Sequence, residues 1–405
     1  MKKQIIIVGG GFGGLETALS LWNLAKSSVD ITLIDRSAYH SFIPSIHEVI
    51  SGRVSARDIQ IPLAAVLSPT SIRFVQDEVV SVDPVNRQVT TPAGIMGFDY
   101  LVLSSGAEGN FSGVPGAAEF SHHFRSPEDA ERIHSDVTQL LKDRNKPCNL
   151  IVAGGGPEGV EVAGELIDLV RDAGCEKDLD SGRITVELIE EKARLLSSLT
   201  SKAQDFAEEY LSGRGVKVFT GSCIVEVQKN KVVLCSEVQR DMSILIWTGG
   251  IRPAKLLKEL ALSKDDSGWL KVTDRLHSPD NDRIYGVGDL ISIHDEKGPV
   301  SVPRLAYHAL DQAVVASLNI YYQIQGRRST SYAPKAKPQL VSIGKNMGIL
   351  ARGDCVYSGQ SVVLLKKLVQ MRHLMTYLTK PAYSALSAKL PGAELRHLLR
   401  WLLPI

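Results

Sequence analysis

The chain has no run of about 18 uninterrupted apolar residues, so it lacks the element that would cross a bilayer as a helix. Its start, "MKKQIIIVGGG", breaks into glycine too soon to be a secretory signal, so the protein is expected to stay in the cytoplasm. Cysteine is sparse. Cys148, Cys175, Cys223, Cys235 and Cys355 show neither C-x-x-C nor metal-ligand spacing, so no metal site is expected and the thiols read as free and buried. An excess of charge of one sign is also missing: 46 Lys and Arg against 45 Asp and Glu leave +1, which argues against a nucleic-acid-coating protein. The 44% hydrophobic content excludes a disordered chain, and 405 residues suffice for two or three domains.

The even balance hides an asymmetry. From Tyr321 to the end there are 13 Lys and Arg against two acids, Asp354 and Glu394, so a basic tail follows an acidic body. Such a tail suits an anionic membrane surface.

Glycine, in contrast, is concentrated where it carries meaning. "QIIIV" is apolar without alternation, the pattern of a strand covered on both faces, and Gly9, Gly11 and Gly14 follow it as G-x-G-x-x-G before a helical "LETALSLWNLA". The first glycine permits the tight turn, the second lets the backbone approach a pyrophosphate, and the third lets helix and strand pack closely. The phosphates would lie at the helix N-terminus, where unpaired N–H groups point. A second run, "DITLID", ends at Asp35, about 20 residues past the last glycine, where a carboxylate receives ribose hydroxyls.

The scheme repeats in "NLIVAGGGPEGVEVAGELIDLV", with Gly154, Gly156 and Gly159, and its next strand "ITVELIE" ends at Glu190. An acid there, with no arginine beside it, binds an adenosine ribose and repels a 2′-phosphate, which favours NADH over NADPH. Two turns imply two dinucleotides, one resident and one exchanging. "DRIYGVGDL" places Gly288 and Asp289 at a strand end beside a helix start; the carboxylate suits the ribityl and pyrophosphate end of a flavin dinucleotide, or simply a Gly-Asp turn.

Together with "LIDRSAYHSFIPSIHEVISG", "DYLVLSSGA", "NFSGVPGAAE", "ILIWTGGIRP" and "IYGVGDL", these stretches cover roughly residues 1–320, and the chain resembles the type II NADH dehydrogenases of the FAD-dependent pyridine nucleotide-disulfide oxidoreductase superfamily. The resemblance implies an α/β fold of two Rossmann-like domains, the NAD domain inserted in the FAD domain, with a C-terminal α+β domain that meets the membrane. It divides the chain into residues 1–120 and 250–325 for FAD, 121–249 for NADH and 326–405 for the C-terminal domain. It also implies non-covalent FAD at the first turn, NADH at the second, a membrane quinone as acceptor, and a place on the cytoplasmic face of the cell membrane.

The resemblance assigns Phe12, Gly13, Phe42, Pro44, Val80, Gly106 and Ala107 to the flavin site, Gly106 and Ala107 ending a strand against the cofactor, and Arg36 to its adenosine side. Gly249 and Gly250 would leave room for the nicotinamide. Glu161, by position alone a helix glutamate facing solvent, is brought towards the flavin as a candidate for nicotinamide and quinone handling; Glu158 suits the positive field of the helix start. His40 and His47 lack a third ligand and read as satisfied loop histidines.

One segment departs from the pattern. In "VPRLAYHALDQAV", Tyr307 stands where the family's first glutamine is expected and Asp311 where the second is, which puts the quinone in doubt. The segment is closer to sulfide:quinone reductases, yet the cysteine pair those enzymes need has no counterpart. A soluble NADH-dependent flavoprotein reductase and a redox-sensing flavoprotein remain as alternatives.

In the tail, Leu364, Leu365, Leu368, Val369, Met371, Met375 and Leu378 recur at helical spacing, flanked by Lys366, Lys367, Arg372 and Lys380, with Pro381 expected to break the run. A second short stretch, "ELRHLLRWLLPI", carries Trp401. The faces fit a membrane surface, or packing on the body, or a homodimer contact.

Overall fold

The computed structural model describes residues 2–387 apart from residue 296. The "ELRHLLRWLLPI" stretch with Trp401 lies outside the described residues. In chain order, the first third supplies β1 (Lys3–Val8), α1 (Phe12–Ala25), β2 (Val29–Asp35), the one-turn α2 (His47–Ile50), β3 (Arg73–Gln76) and β4 (Tyr100–Leu103). The middle supplies β5 (Cys148–Ala153), α3 (Pro157–Asp172), β6 (Ile184–Ile189), β7 (Val216–Phe219), β8 (Ile224–Gln228), β9 (Lys231–Leu234) and β10 (Ile244–Trp247). Then come β11 (Ile284–Gly286), α4 (Ala306–Ile324), β12 (Gln339–Ser342), β13 (Gly348–Arg352), β14 (Cys355–Gly359) and α5 (Gln360–Ser387).

Two five-stranded sheets organise these elements. One has the order β11-β4-β1-β2-β3; the other begins at the two-residue strand His122–His123 and continues β10-β5-β6-β7. Every pairing in both is parallel. Parallel strands need helical crossovers and are covered on both faces, which is why β6 is buried at every position, the polar Thr185 and Glu187 included. In each sheet the strand preceding a glycine turn has a strand on both sides, so each turn opens at the carboxyl edge where chain direction switches.

The β12–β14 meander and α5 close over the space between α2 and α3. The apolar stripe of α5 lies on the opposite side from the body. Leu364 (61% exposed), Leu365, Leu368, Val369, Met371 and Met375 face outwards, whereas Lys366, Gln370 and Tyr377 are buried with Val362 at the helical repeat. The expectation that Lys366 and Lys367 add positive charge to a surface is therefore corrected: both turn towards buried carboxylates. The helix also runs through Pro381 to Ser387 instead of breaking there, since a proline removes one backbone donor without obliging the helix to end.

Two smaller corrections follow from local backbone. Asp289 sits in a single turn, Gly288–Leu290, that leads into a strand, Ile291–Asp295, and not into a helix. Ala107 begins a short strand, Ala107–Gly109, paired with Ile251–Pro253, while Gly106 (φ 70°) makes the turn before it. The thiols are also less hidden than expected: Cys148 and Cys175 are buried, Cys223 is partly so, and Cys235 and Cys355 are exposed.

Candidate active site

The two glycine turns use the same local physics. Gly9 (φ 102°) and Gly154 (φ 106°) hold conformations that suit glycine alone. A Cβ at Gly14 would lie 1.8 Å from the Gly9 carbonyl oxygen, and one at Gly159 would lie 1.7 Å from that of Gly154. A Cβ at Gly11 or Gly156 would meet nothing within 4 Å, and neither of these N-cap residues offers a side chain to the helix. The first-turn N–H groups of α1 and α3 thus face open space, as an anion requires.

The strand-end acids complete each turn in the same way. Asp35 accepts from Gly10 N–H at 2.5 Å and Ser37 N–H at 2.7 Å; Glu190 accepts from Gly155 N–H at 2.5 Å and Lys192 N–H at 2.7 Å. Each carboxylate oxygen keeps acceptor capacity for a ribose. Burial raises the Asp35 carboxyl above its ordinary range. Beyond Glu190, Arg194 is engaged by Glu208 and Asp205 and does not take over the carboxylate's place.

Around the first turn, Phe42 is buried, and its ring joins Phe12, His40 and His373 in one aromatic cluster. His373, on α5, was not anticipated. Its Nε2 lies 3.0 Å from that of His40, whose Nδ1 faces the Gly10 carbonyl at 3.0 Å. Pro44 lies in the adjoining turn, Ile43–Ser45. Arg36 and Val80 are exposed, Val80 donating its N–H to Thr90 O. At the second site, Thr248 Oγ1 donates to the Ala153 and Gly154 carbonyls, and Gly249 packs against the Trp247 ring. Gly250 (φ 116°) leaves open space where a side chain would project.

Glu161 is the centre of a buried polar cluster. Its Oε1 accepts from Lys366 Nζ at 2.5 Å and from Ser342 N–H at 3.1 Å, and its Oε2 lies 3.4 Å from His47 Nδ1. Ser342 Oγ is 2.7 Å from His47 Nε2 and 3.0 Å from Lys366 Nζ. Because the Lys366 ammonium can only donate and also faces His47 Nε2, that nitrogen is the acceptor and Nδ1 carries the proton towards Glu161. Burial pushes the Glu161 carboxyl up, with Lys366 opposing; burial and the neighbouring lysines hold His47 well below its ordinary value. His47 is hydrogen-bonded as expected, though in a helical turn.

The same face of α3 continues as a row of acids, each with its own cation. Glu158 pairs with Arg125 at 3.0 Å, Glu165 with Arg53, Asp168 with Arg214 at 2.7 Å and Asp172 with Lys345 at 2.5 Å. Burial pushes Glu165 up to about 7. Arg125 also feels Asp289, and its buried Nε has no acceptor. It thus pairs with the first turn of α3 and acts electrostatically on Asp289, and nothing in its own sequence context marked it. The spacing of the five acids, at three and four, was the visible signal.

Gly288 N–H donates to Gln312 of α4 at 2.7 Å, and Arg304 Nε holds the Asp289 carbonyl at 2.9 Å while stacking 3.7 Å from the Trp269 ring centroid. These residues and His308 wall a cavity of about 380 Å³. Tyr307 is not part of that wall; its ring packs on His308 and below Lys337, which pairs with Asp311 at 2.7 Å. Burial raises its phenol above the ordinary value. Tyr307 and Glu161 are thus held by separate sets of neighbours.

Residues 3–313 match the family model described as pyridine nucleotide-disulphide oxidoreductase. The chain belongs to that family. Within it, the chain is 24% identical over 383 residues to a type II NADH:quinone oxidoreductase of Staphylococcus saprophyticus, covering 92% of this chain and 95% of the relative. It is 25% identical over 387 residues to the demethylphylloquinone reductase NdbB of Synechocystis, covering 93% of each. The structure of NDH2 from Plasmodium falciparum in complex with NADH superposes with a TM-score of 0.84 at 20% identity, covering 97% of this chain and 99% of that one. For this oxidoreductase family the fold, with its two parallel sheets, is as expected from the sequence.

Proposed function

We propose that the protein oxidises NADH through non-covalently bound FAD and delivers the electrons to a membrane quinone. The observation that carries this reading is the pair of uncapped glycine turns on two parallel sheets, with the buried Glu161, His47 and Lys366 cluster beside the second. The type II NADH:quinone oxidoreductases among the relatives support it. The residues fit the dinucleotides: open space at Gly11 and Gly156, N–H groups without a capping side chain, and a ribose-facing acid at each strand end. In this reading residues 1–120 and 250–325 hold FAD, with Asp289 and Gln312 near its ribityl end, and residues 121–249 hold NADH.

When bound, FAD supplies the hydride acceptor and the electron outlet. The chain's own part is positioning and protons. Arg125 offsets Glu158, which would otherwise repel the NADH pyrophosphate, and its free Nε offers a donor between the sites. Quinone reduction consumes protons as well as electrons; Glu161 Oε2 and His47 Nδ1 are the adjoining atoms that hold and pass one, with Lys366 opposing the burial that favours the protonated carboxyl. Tyr307 belongs to the α4 end of the acceptor site.

The exposed stripe of α5 is the membrane-facing surface. Apolar insertion of Leu364, Leu365 and Leu368 provides the attachment, because Lys366 and Lys367 are directed inwards; a homodimer contact is the competing use of this face. The decisive experiment is an anaerobic titration of the purified yellow protein. NADH should bleach the flavin absorbance and added quinone should restore it; bleaching that quinone does not reverse would defeat the acceptor assignment.

A further inference from the structure

Cys223 and Cys235 meet at the open end of the β8–β9 hairpin. The ladder pairs Ile224 with Leu234, so these cysteines are the next opposed positions, one just before β8 and one just after β9. Cys235 N–H donates to the Cys223 carbonyl at 2.9 Å, and Cys223 N–H points to Cys235 Sγ at 3.4 Å. Opposed residues of an antiparallel pair carry Cβ atoms about 4.5–5.5 Å apart on one face. A disulfide needs about 3.5–4.5 Å, so closing the pair takes a shift of roughly 1 Å. The two residues are thus already joined by a backbone bond and by an N–H to sulfur contact across the strand pair.

Their accessibility differs in a useful way. Cys235 is exposed, and the Cys223 thiol and N–H both favour its thiolate, which lowers its pKa; the same contact raises that of Cys223. One sulfur is therefore prepared to attack an oxidant and the other to resolve the product.

The pair is also joined to the second nucleotide turn. Ser222 N–H donates to the Glu190 carbonyl at 2.9 Å and Gly221 N–H to that of Lys192 at 2.8 Å. The Glu190 carboxylate, in turn, is set by Gly155 and Lys192 N–H. Moving Cys223 pulls on the peptide that fixes Glu190.

We propose that Cys223 and Cys235 form a reversible disulfide that weakens NADH binding at the adjoining adenosine pocket. The effect on NADH rests on the reading of Glu190 as the ribose contact; the bond itself does not. With hydrogen peroxide as oxidant, the Cys235 thiolate attacks one peroxide oxygen, the O–O bond breaks and hydroxide leaves to be protonated to water. The Cys223 thiol then attacks the resulting sulfenic sulfur, the S–S bond forms and a second water departs. Two thiols lose two electrons and two protons, and one peroxide becomes two waters. A dithiol reductant reverses the bond.

The test uses the FAD-loaded full chain, treated with equimolar hydrogen peroxide, alkylated and digested. A linked Cys223–Cys235 peptide lighter by two hydrogens, lost again with dithiothreitol, is expected. NADH affinity, read by stopped flow from the concentration dependence of flavin reduction, should fall about fivefold or more in the disulfide form and recover once the disulfide is reduced, the lower end of ordinary coupling between sites. Cys223→Ser and Cys235→Ser should keep their affinity in peroxide. Sulfenic acid without a linked peptide overturns the proposal, and so does a linked peptide with unchanged NADH affinity. Glu190→Gln in the reduced protein reads the underlying assignment separately: unchanged NADH affinity there removes the ribose contact while leaving the disulfide result intact.

Discussion

Lys366 reaches Glu161 across 205 residues of sequence, its Nζ 2.5 Å from Oε1 with both side chains buried. Removing one partner of such a pair leaves a charge without water or counterion. Lys366→Met should therefore destabilise the protein by about 3–5 kcal/mol in urea unfolding, and adding Glu161→Leu should recover much of that loss. Equal stability for Lys366→Met and the parent would show that the pair is not ionised.

The glycines separate steric from ligand effects. Gly159→Ala forces a Cβ into the Gly154 carbonyl, so both folding and NADH binding should suffer. Gly156→Ala meets no protein atom, yet it fills the space in front of the uncapped α3. It should leave the melting temperature of the NADH-free protein unchanged and raise KM for NADH by about tenfold or more. A normal KM would move the pyrophosphate away from this turn.

Glu190→Gln keeps an oxygen for one backbone donor and loses the negative charge. Rates of flavin reduction by NADH and NADPH, measured by stopped flow, should converge. An undiminished preference for NADH would shift the discrimination to another residue.

The nucleotide turns were legible because each is a local device: strand, three glycines, helix and acid within some forty residues. The Glu161 cluster was not. Lys366, Ser342 and His47 arrive from three distant segments, and no local pattern announces which helix face a lysine will take. For α5 the periodicity was readable but its direction was not. Apolar residues at helical spacing ordinarily face the body, and here buried carboxylates claim Lys366 and Lys367 for the inner side. The row of acids on α3 was the available clue that inward cations were needed.

His40 and His373 make the docking of α5 sensitive to acid. His40 Nδ1 donates to Gly10 O, so its Nε2 accepts from His373 Nε2–H, which requires His40 neutral and allows the pair at most one added proton. The Phe12, Phe42 and Tyr377 rings surround them, and Glu16 faces Tyr377. Burial pushes His40 down to about 4 and His373 to about 3. An unfolded histidine titrates near 6.5. The folded pKa values are the lower ones, so this stability is full above about 6.5 and is lost as pH falls towards 4. Between pH 6.5 and 4.5 each ring should contribute to the loss with a slope that rises to at most about 1.4 kcal/mol per pH unit. His373→Gln should reduce that slope by one ring's share in melts across this range; an unaltered slope would assign the acid sensitivity elsewhere.

On the proposed reading, the outward stripe of α5 allows membrane attachment to be tested apart from the chemistry. Leu364, Leu365 and Leu368 are 61%, 40% and 48% exposed, and no described helix is long and apolar enough to cross a membrane. Each fully buried leucine contributes about 1.5–3 kcal/mol, so inserting two or three outweighs a single exposed cation near the surface, worth about 1 kcal/mol. Leu364→Glu/Leu368→Glu should therefore release the protein from phosphatidylglycerol-containing vesicles in flotation. Turnover with a long-chain quinone in those vesicles should fall about tenfold, while turnover with a short-chain soluble quinone stays near the parent value. Salt should weaken the parent's attachment only modestly, because Lys366 and Lys367 are already paired with the carboxylates of Glu161 and Glu48. If the variant floats as the parent does but runs as a smaller particle in gel filtration, the face is a dimer contact and the membrane is reached elsewhere. If both quinones fail together, the stripe supports the fold of the Glu161 cluster beneath it.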